Sequence, residues 1–257
     1  TAGSAVVYMY VIIGDSIAAA TDSKYADRFN TNYSELPSQI TGCYIWVPSS
    51  TSFEIIKPGV NVPTNTYYTG SVTGIAGFES TLPWKLRPTT GDRDIYVVKY
   101  AQGGALFVSA ASATWASTQV SPALNYPDWS VSSSGEMLSG LSATVNSAVL
   151  NLSSQYKFID LKAVIIAAGT NAPIQTANIL YNSDYTVTSV NPYKDTTLVS
   201  SLINTEVSSF LISGLGQIFG TTRTKTDMNY TKYIWILPSY EDDYYYINQK
   251  NGTFHEG

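Results

Sequence analysis

The sequence predicts an α/β protein: a three-layer α/β/α sandwich around a central, mostly parallel sheet. Three observations predict it. Apolar, β-branched runs of strand length recur along the chain, each bounded by turn residues. The segments between them carry apolar residues at helical spacing. Strands alternating with helices, rather than following one another at hairpin spacing, are the mark of crossover connections. The 257 residues suffice for one domain with a sizeable core. No internal repeat or low-complexity tract divides them, so residues 1–257 are read as a single domain.

The first run, Ala5–Ile13, is β-branched and ends at Gly14. From about 21 to 74 the chain is irregular, with Pro37, Pro48, Pro58 and Pro63 among Ser, Thr and Asn, and is read as an excursion with room for a short hairpin. Inside it, Cys43, Tyr44, Ile45 and Trp46 read as a buried strand. A helix is expected over Ile75–Leu86, bent or ended by Pro83. The second run, Asp94–Tyr100, carries Ile95, Val97 and Val98 and stops before Gly103-Gly104.

Ser133 with Glu136 three residues on is a capping-box signal. Met137, Leu138, Leu141, Val145, Ala148, Val149 and Leu152 follow at helical spacing and predict an amphipathic helix. The third run, Leu161–Ala168, ends at Gly169. A second amphipathic face is expected from Leu198, Val199, Leu202, Ile203, Val207, Phe210 and Leu211, with Gly214 as its stop. The fourth run is Tyr233–Leu237, ended by Pro238.

Composition narrows the partners. Fourteen Lys+Arg against 19 Asp+Glu give a net charge of −5, with no basic cluster, so nucleic acid and anionic membrane are not expected partners. Charged residues are only 13% of the chain, about half the usual share, while tyrosine alone numbers 20. A weakly charged surface rich in Tyr, Ser, Thr and Asn suits contact with carbohydrate or with other protein chains in an assembly. An extracellular or virion-surface setting is expected on that ground. The Tyr244-Tyr245-Tyr246 run, Trp115 and Trp129 are candidates for either surface.

The single cysteine, Cys43, excludes an intrachain disulfide and a cysteine metal site, and is expected in the core. Sequons at Asn32, Asn151, Asn229 and Asn251 carry little weight in a chain this rich in Ser, Thr and Asn. The longest apolar stretch, Ala5 to Ile13, is well short of the roughly 18 residues of a spanning helix, so no membrane insertion is expected. A start at Thr1 without a signal-peptide pattern, and a stop at Gly257, are expected of a processed chain or a piece of a larger one.

In an open α/β sheet, ligands bind beyond the C-terminal ends of the strands. The first end gives Gly14-Asp15-Ser16 followed by Ile17-Ala18-Ala19-Ala20, which can start a helix at the serine. A hydroxyl there is exposed, and its backbone N–H lies where developing negative charge is favoured. The second end gives Gly103-Gly104, where the missing Cβ lets N–H groups approach a ligand. The third gives Gly169-Thr170-Asn171, with a side-chain amide donor. Together these would supply a serine nucleophile and three oxyanion donors: the N–H groups of Ser16 and Gly104 and the Asn171 amide. The one histidine of the chain, His255, is the one imidazole available to accept the serine's proton.

Gly14-Asp15-Ser16, a glycine after the second strand, Gly169-Thr170-Asn171 and a C-terminal histidine, in that order, resemble the four blocks of the SGNH (GDSL) hydrolases. Val98-Lys99-Tyr100-Ala101-Gln102-Gly103-Gly104 is similar to the second block of the carbohydrate-esterase branch, which includes sialate O-acetylesterase-like enzymes. The strand Ile234-Trp235-Ile236-Leu237-Pro238 fits the same branch, and the resemblance spans essentially the whole chain. It implies an SGNH/flavodoxin-like fold and a serine esterase that removes acetyl groups from a carbohydrate or O-acetylated glycan. Ser16 would be the nucleophile, Gly104 and Asn171 would complete the oxyanion hole, and His255 would be the base. No cofactor and no metal are implied.

The chain departs from the family at the machinery itself. An aspartate normally stands three residues before the histidine, and here that position is Gly252; the aspartate expected after Asn171 is Ala172. Asp242 and Asp243 are the upstream candidates for the acid, and a backbone carbonyl orienting the ring is the other. Each motif also has a plainer reading. Asp15-Ser16 fits a helix N-cap, the glycines fit ordinary turns, Asn171 fits a turn cap before Pro173, and His255 fits a tail or linker. The competing function is therefore a catalytically impaired SGNH-fold domain serving as a structural or glycan-binding module of a virion or surface assembly. A binder of a phosphorylated ligand at the same strand ends is disfavoured, since the first turn lacks a phosphate-loop lysine and a second glycine.

Overall fold

A six-stranded sheet lies at the centre of the computed structural model, which describes residues 6–19, 35–63, 77–91, 93–103, 105, 127–131, 136–167, 180–181, 187–189, 209–221 and 232–235. The strands are β1 (Val6–Gly14), β2 (Cys43–Val47), β3 (Ser52–Ile55), β4 (Ile95–Ala101), β5 (Phe158–Ala167) and β8 (Lys232–Trp235). Their order is β3-β2-β4-β1-β5-β8, and every pairing is parallel except that of β2 with β3. Two short strands, β6 (Leu180–Tyr181) and β7 (Val187–Ser189), pair separately.

The α-helices among the described residues are α1 (Ser16–Ala19), α2 (Phe78–Leu86), α3 (Glu136–Ser153) and α4 (Gly216–Thr221), and a 3-10 turn, Arg87–Thr89, follows α2. A π-helical stretch, Phe210–Leu215, leads directly into α4. None of these helices is long and apolar enough to cross a membrane.

β1 lies inside the sheet, and its C-terminal half, Val11 to Ile13, is buried on both faces, as a strand covered on both sides must be. Val7, Met9, Val11 and Ile13 join one core cluster with Val98, Leu161, Val164 and Ile166, and α3 packs over them. Ile12 points the other way, into a cluster with Ile45, Val97 and Ile165 that Ala18 and Ala19 of α1 join and against which Phe78, Leu82 and Trp84 of α2 pack. The two clusters lie on opposite faces of the sheet, one shared with α3 and the other with α1 and α2. The seven residues that predicted the long helix are the seven buried residues of α3. Burying a side chain such as Leu141 contributes about 1.5–3 kcal/mol. Gly140 lets α3 close on β4, since a Cβ there would stand 1.9 Å from the Tyr100 hydroxyl.

The stretch read as an excursion contains a hairpin that joins the main sheet. β2 and β3 are antiparallel, and Thr51 takes φ 47° at the turn between them. β2 adds to β4 in parallel, Cys43 opposite Ile95. α2 keeps Pro83 inside it rather than stopping there, and the helix ends at Leu86.

Two expectations are corrected. Gly214 does not stop a helix: the chain runs through it from Phe210 to Thr221. The glycine serves packing instead, because a Cβ at Gly214 would come within 3.1 Å of Leu138 on α3. Trp129 is not a surface residue. It is 1% exposed and makes edge-to-face contacts with Tyr100 and Phe210, at centroid distances of 6.3 and 5.8 Å. Several tyrosines likewise serve the core: Tyr96 is buried, stacks on Tyr44 and shares a 2.7 Å hydrogen bond with the Tyr156 hydroxyl. Ser133, the positions from Leu198 to Val207, Trp115 and Tyr244–Tyr246 lie outside the described residues.

Cys43 is fully buried, and its thiol lies 3.7 Å from the Pro83 carbonyl oxygen. Burial pushes the thiol from 9.0 up to about 12, with Arg87 opposing and Asp94 adding to the shift. A raised acid group adds stability that is fully present below its unfolded value and is lost as pH climbs toward the folded one. The slope of denaturant midpoint against pH is therefore expected to be steeper between pH 9.0 and 12 for the native chain than for Cys43→Ala. Equal slopes would show that the thiol does not contribute.

Candidate active site

The three strand ends that carry the motifs are brought side by side. Gly14 of β1 pairs with Ala101 of β4 on one side and with Ala167 of β5 on the other, so the three strands finish level. Trp235 of β8 pairs with Ile166 and finishes beside them. Beyond β1, α1 packs on the α2 face; beyond β4, α3 packs on the opposite face. Adjacent strands whose connections leave to opposite faces open a crevice between their ends, which is where α/β proteins bind ligands.

Gly14 makes this edge possible. A Cβ on it would sit 1.9 Å from the Ala167 carbonyl oxygen and 2.8 Å from the Ala18 side chain, so no other residue fits. The chain then turns out of the sheet: the Asp15 N–H donates to the Ala167 carbonyl at 3.0 Å, and the Ala19 N–H donates to the Asp15 carbonyl at 2.8 Å. Asp15 thus stands at the N-cap position of α1, and it is fully buried. On the β4 side the Gln102 N–H donates to the Gly14 carbonyl at 3.2 Å, and the Ala105 N–H returns to the Gln102 carbonyl at 3.1 Å. The turn bearing Ser16 and the turn bearing Gly103 are therefore tied to the same residue.

Ser16 opens α1, two residues beyond Gly14. Gly104, Asn171, His255, Asp242 and Asp243 lie outside the described residues. What the structure juxtaposes is thus the roots of the first three blocks: Gly14, Ala101 and Ala167 share one level of the sheet, and the motifs leave from it. Among the described residues no group of His, Cys, Asp or Glu is arranged to hold a metal ion.

Two buried polar features were missed from the sequence. Lys99 of β4 and Glu79 of α2 are both fully buried and form an ion pair at 3.3 Å. Lys99 Nζ also donates to the Ala19 carbonyl at 3.4 Å, and a Glu79 carboxylate oxygen accepts the Gly77 N–H. Burial lowers the lysine's proton affinity, and the Glu79 charge and hydrogen bond work against that. The one available signal was a lysine in an otherwise apolar strand. The second feature is Asp128, which is buried, accepts the Ser130 N–H at 3.1 Å, and offers its carbonyl to the Met137 N–H at 3.4 Å. Those bonds shape the entry into α3.

No family model matches the chain, and no curated protein matches it. Among solved structures, the crystal structure of NanS aligns over 98% of this chain and 76% of its own, at 14% identity and a TM-score of 0.50. A protein from Arabidopsis thaliana, solved at 1.6 Å, aligns over 90% of this chain and 85% of its own at 12% identity, with a TM-score of 0.39 that carries no argument. The likeness to NanS is one of fold alone, an α/β arrangement.

The geometry at Gly14 gives a direct expectation. Overpacking typically costs about 1–3 kcal/mol, and a clash with the Ala167 backbone on one side and the Ala18 side chain on the other belongs at or above the upper end. Gly14→Ala should therefore lower the thermal midpoint sharply or abolish soluble expression. Gly91→Ala, at φ +63° with nothing within 4 Å, should cost only the roughly 1–2 kcal/mol of a left-handed backbone. Comparable midpoints for the two variants would refute the close approach at Gly14.

Proposed function

We propose that this chain is a serine esterase of the SGNH type that deacetylates a carbohydrate or polysaccharide. In this reading Ser16 is the nucleophile and His255 the base. The Ser16 and Gly104 N–H groups and the Asn171 amide form the oxyanion hole. The whole chain is taken as a single three-layer α/β/α domain, set outside the cell or on a virion surface. The observation that carries the reading is the alignment of Gly14 between Ala101 and Ala167, which roots the three sequence blocks at one switch point of the sheet. The SGNH-like fold shared with NanS supports it.

The proposed reaction needs no cofactor. Ser16 Oγ attacks the ester carbonyl carbon while His255 takes its proton. The carbonyl oxygen becomes an oxyanion, stabilised by the three donors, each worth about 100- to 1000-fold in rate. Collapse expels the sugar hydroxyl, which receives the proton from His255, and leaves an acetyl ester on Ser16. Water, deprotonated by the same imidazole, attacks that ester and releases acetate.

A second reading has one specific observation behind it: the position three before His255, where the family's acid stands, is Gly252. An impaired domain of the same fold would then bind glycan or serve assembly without turnover. The two readings separate on the purified chain. The esterase reading expects hydrolysis of an aryl acetate and release of acetate from O-acetylated glycan. It also expects Ser16→Ala and His255→Ala each to lower kcat by at least about 1000-fold. Activity of Ser16→Ala equal to that of the native chain would remove Ser16 from the mechanism. Glycan binding without turnover would establish the second reading.

A further inference from the structure

Lys99 lies in β4 between Val98 and Tyr100, and with Val97 and Ala101 it belongs to the strand face that packs α1 and α2. It and Glu79 are both wholly removed from solvent. An unpaired ammonium or carboxylate there would be prohibitive, and each charge is answered. Lys99 Nζ stands 3.3 Å from Glu79 and 3.4 Å from the Ala19 carbonyl oxygen, while Glu79 also accepts the Gly77 N–H. Desolvation largely cancels the attraction in such a pair, and apolar residues of like volume often serve stability as well or better. What the pair does supply is position.

The position it fixes is that of the turn opened by Ser16. Ala19 closes that turn through its N–H, which donates to the Asp15 carbonyl at 2.8 Å. The carbonyl of the same residue is the one Lys99 holds. A single helical turn has little stability of its own. Here its far end is fastened to β4, and through Glu79 to the first turn of α2.

The geometry points to Lys99 and Glu79 as positioning residues for Ser16: a buried strut that fixes the Ser16–Ala19 turn from beneath. The effect on rate rests on the esterase reading of Ser16; the strut itself does not. Either single substitution leaves a buried charge without its partner and is expected to unfold the chain. The informative variant is therefore the double one, Lys99→Met with Glu79→Leu, in the full chain.

This variant is expected to unfold cooperatively near the native midpoint. Hydrogen exchange of peptides covering residues 15–19 should speed up by about tenfold or more, while α3 and β5 stay protected. On an aryl acetate, kcat should fall by about 10- to 100-fold with KM within about twofold, since misplacing a reacting group costs rate rather than affinity. Native exchange at residues 15–19 would overturn the strut, and so would native kcat in an active enzyme. A double variant that fails to fold would also overturn it, by assigning the pair to the stability of the whole domain. If the native chain has no esterase activity, the esterase reading fails, and exchange alone decides the strut.

Discussion

The C-terminal edge of the sheet depends on one close approach, that of Gly14 to the Ala167 carbonyl. A side chain at residue 14 would occupy the space of that oxygen. With none there, the Asp15 N–H captures the oxygen and turns the chain out of the sheet at once. The carbonyl of Gly14 meanwhile accepts from Gln102 across the other edge of β1. One residue thus sets the exits of three strands, and the loops that follow inherit their starting positions from backbone hydrogen bonds rather than from their own sequences. Backbone bonds between paired strands are directional and short, so the positions they set are well defined.

Around that edge, the two faces of the sheet are built differently. The α3 face is wide and wholly apolar at its centre, with Met137, Leu141, Val145 and Leu152 lying over Val11, Val98 and Leu161. The α2 face is formed of smaller residues, Ala18, Ala19, Ala163 and Ala167 among them, and among the described residues it alone holds a buried ion pair. Small residues let α1 approach the sheet closely, which brings the Ala19 carbonyl within reach of a lysine rooted in β4. The same closeness adds to the demand for glycine at residue 14, since the Ala18 side chain is the third atom a Cβ would meet after the Ala167 carbonyl.

What was legible in the sequence follows the range of the interactions. Periodicity reports burial directly, so the residues of α3 and the cores of β1, β4 and β5 were readable, with boundaries displaced by one to three residues. Gly14-Asp15-Ser16 was readable because a glycine, an acid and a serine at a strand end are a local backbone signature. The hairpin of β2 and β3 could be suspected, but its parallel seat on β4 is a pairing across some fifty residues, and no local pattern encodes it. Gly214 was misread because a glycine that makes room for Leu138 looks the same as one that ends a helix. Trp129 was misread because aromatic residues serve surfaces and cores alike, and its burial is decided by Tyr100 and Phe210. Lys99 and Glu79 are twenty residues apart and on different elements, so their pairing is a fact of packing. His255 follows the end of β8 by 20 residues, a separation over which spacing says nothing about where an imbidazole stands relative to Ser16.

The buried pair bears on the choice between an enzyme and a scaffold. A domain kept only for its shape has no need of two charges beneath a single turn, because apolar residues would fill the same volume without a desolvation cost. A nucleophile has such a need. Its oxygen must be held close to a reacting geometry, where errors of about 1 Å cost on the order of 100-fold in rate, and a short turn at a strand end does not supply that precision by itself. In the proposed esterase, charges seated in the sheet and in α2 would supply it from the fold, before any substrate arrives and independently of how the imidazole is oriented. Under the proposed function, the glycine at residue 252 and the strut concern different halves of the site, the one the imidazole and the other the serine. In the proposed esterase the serine half would be held still by the fold, a property catalysis would use and passive packing would not.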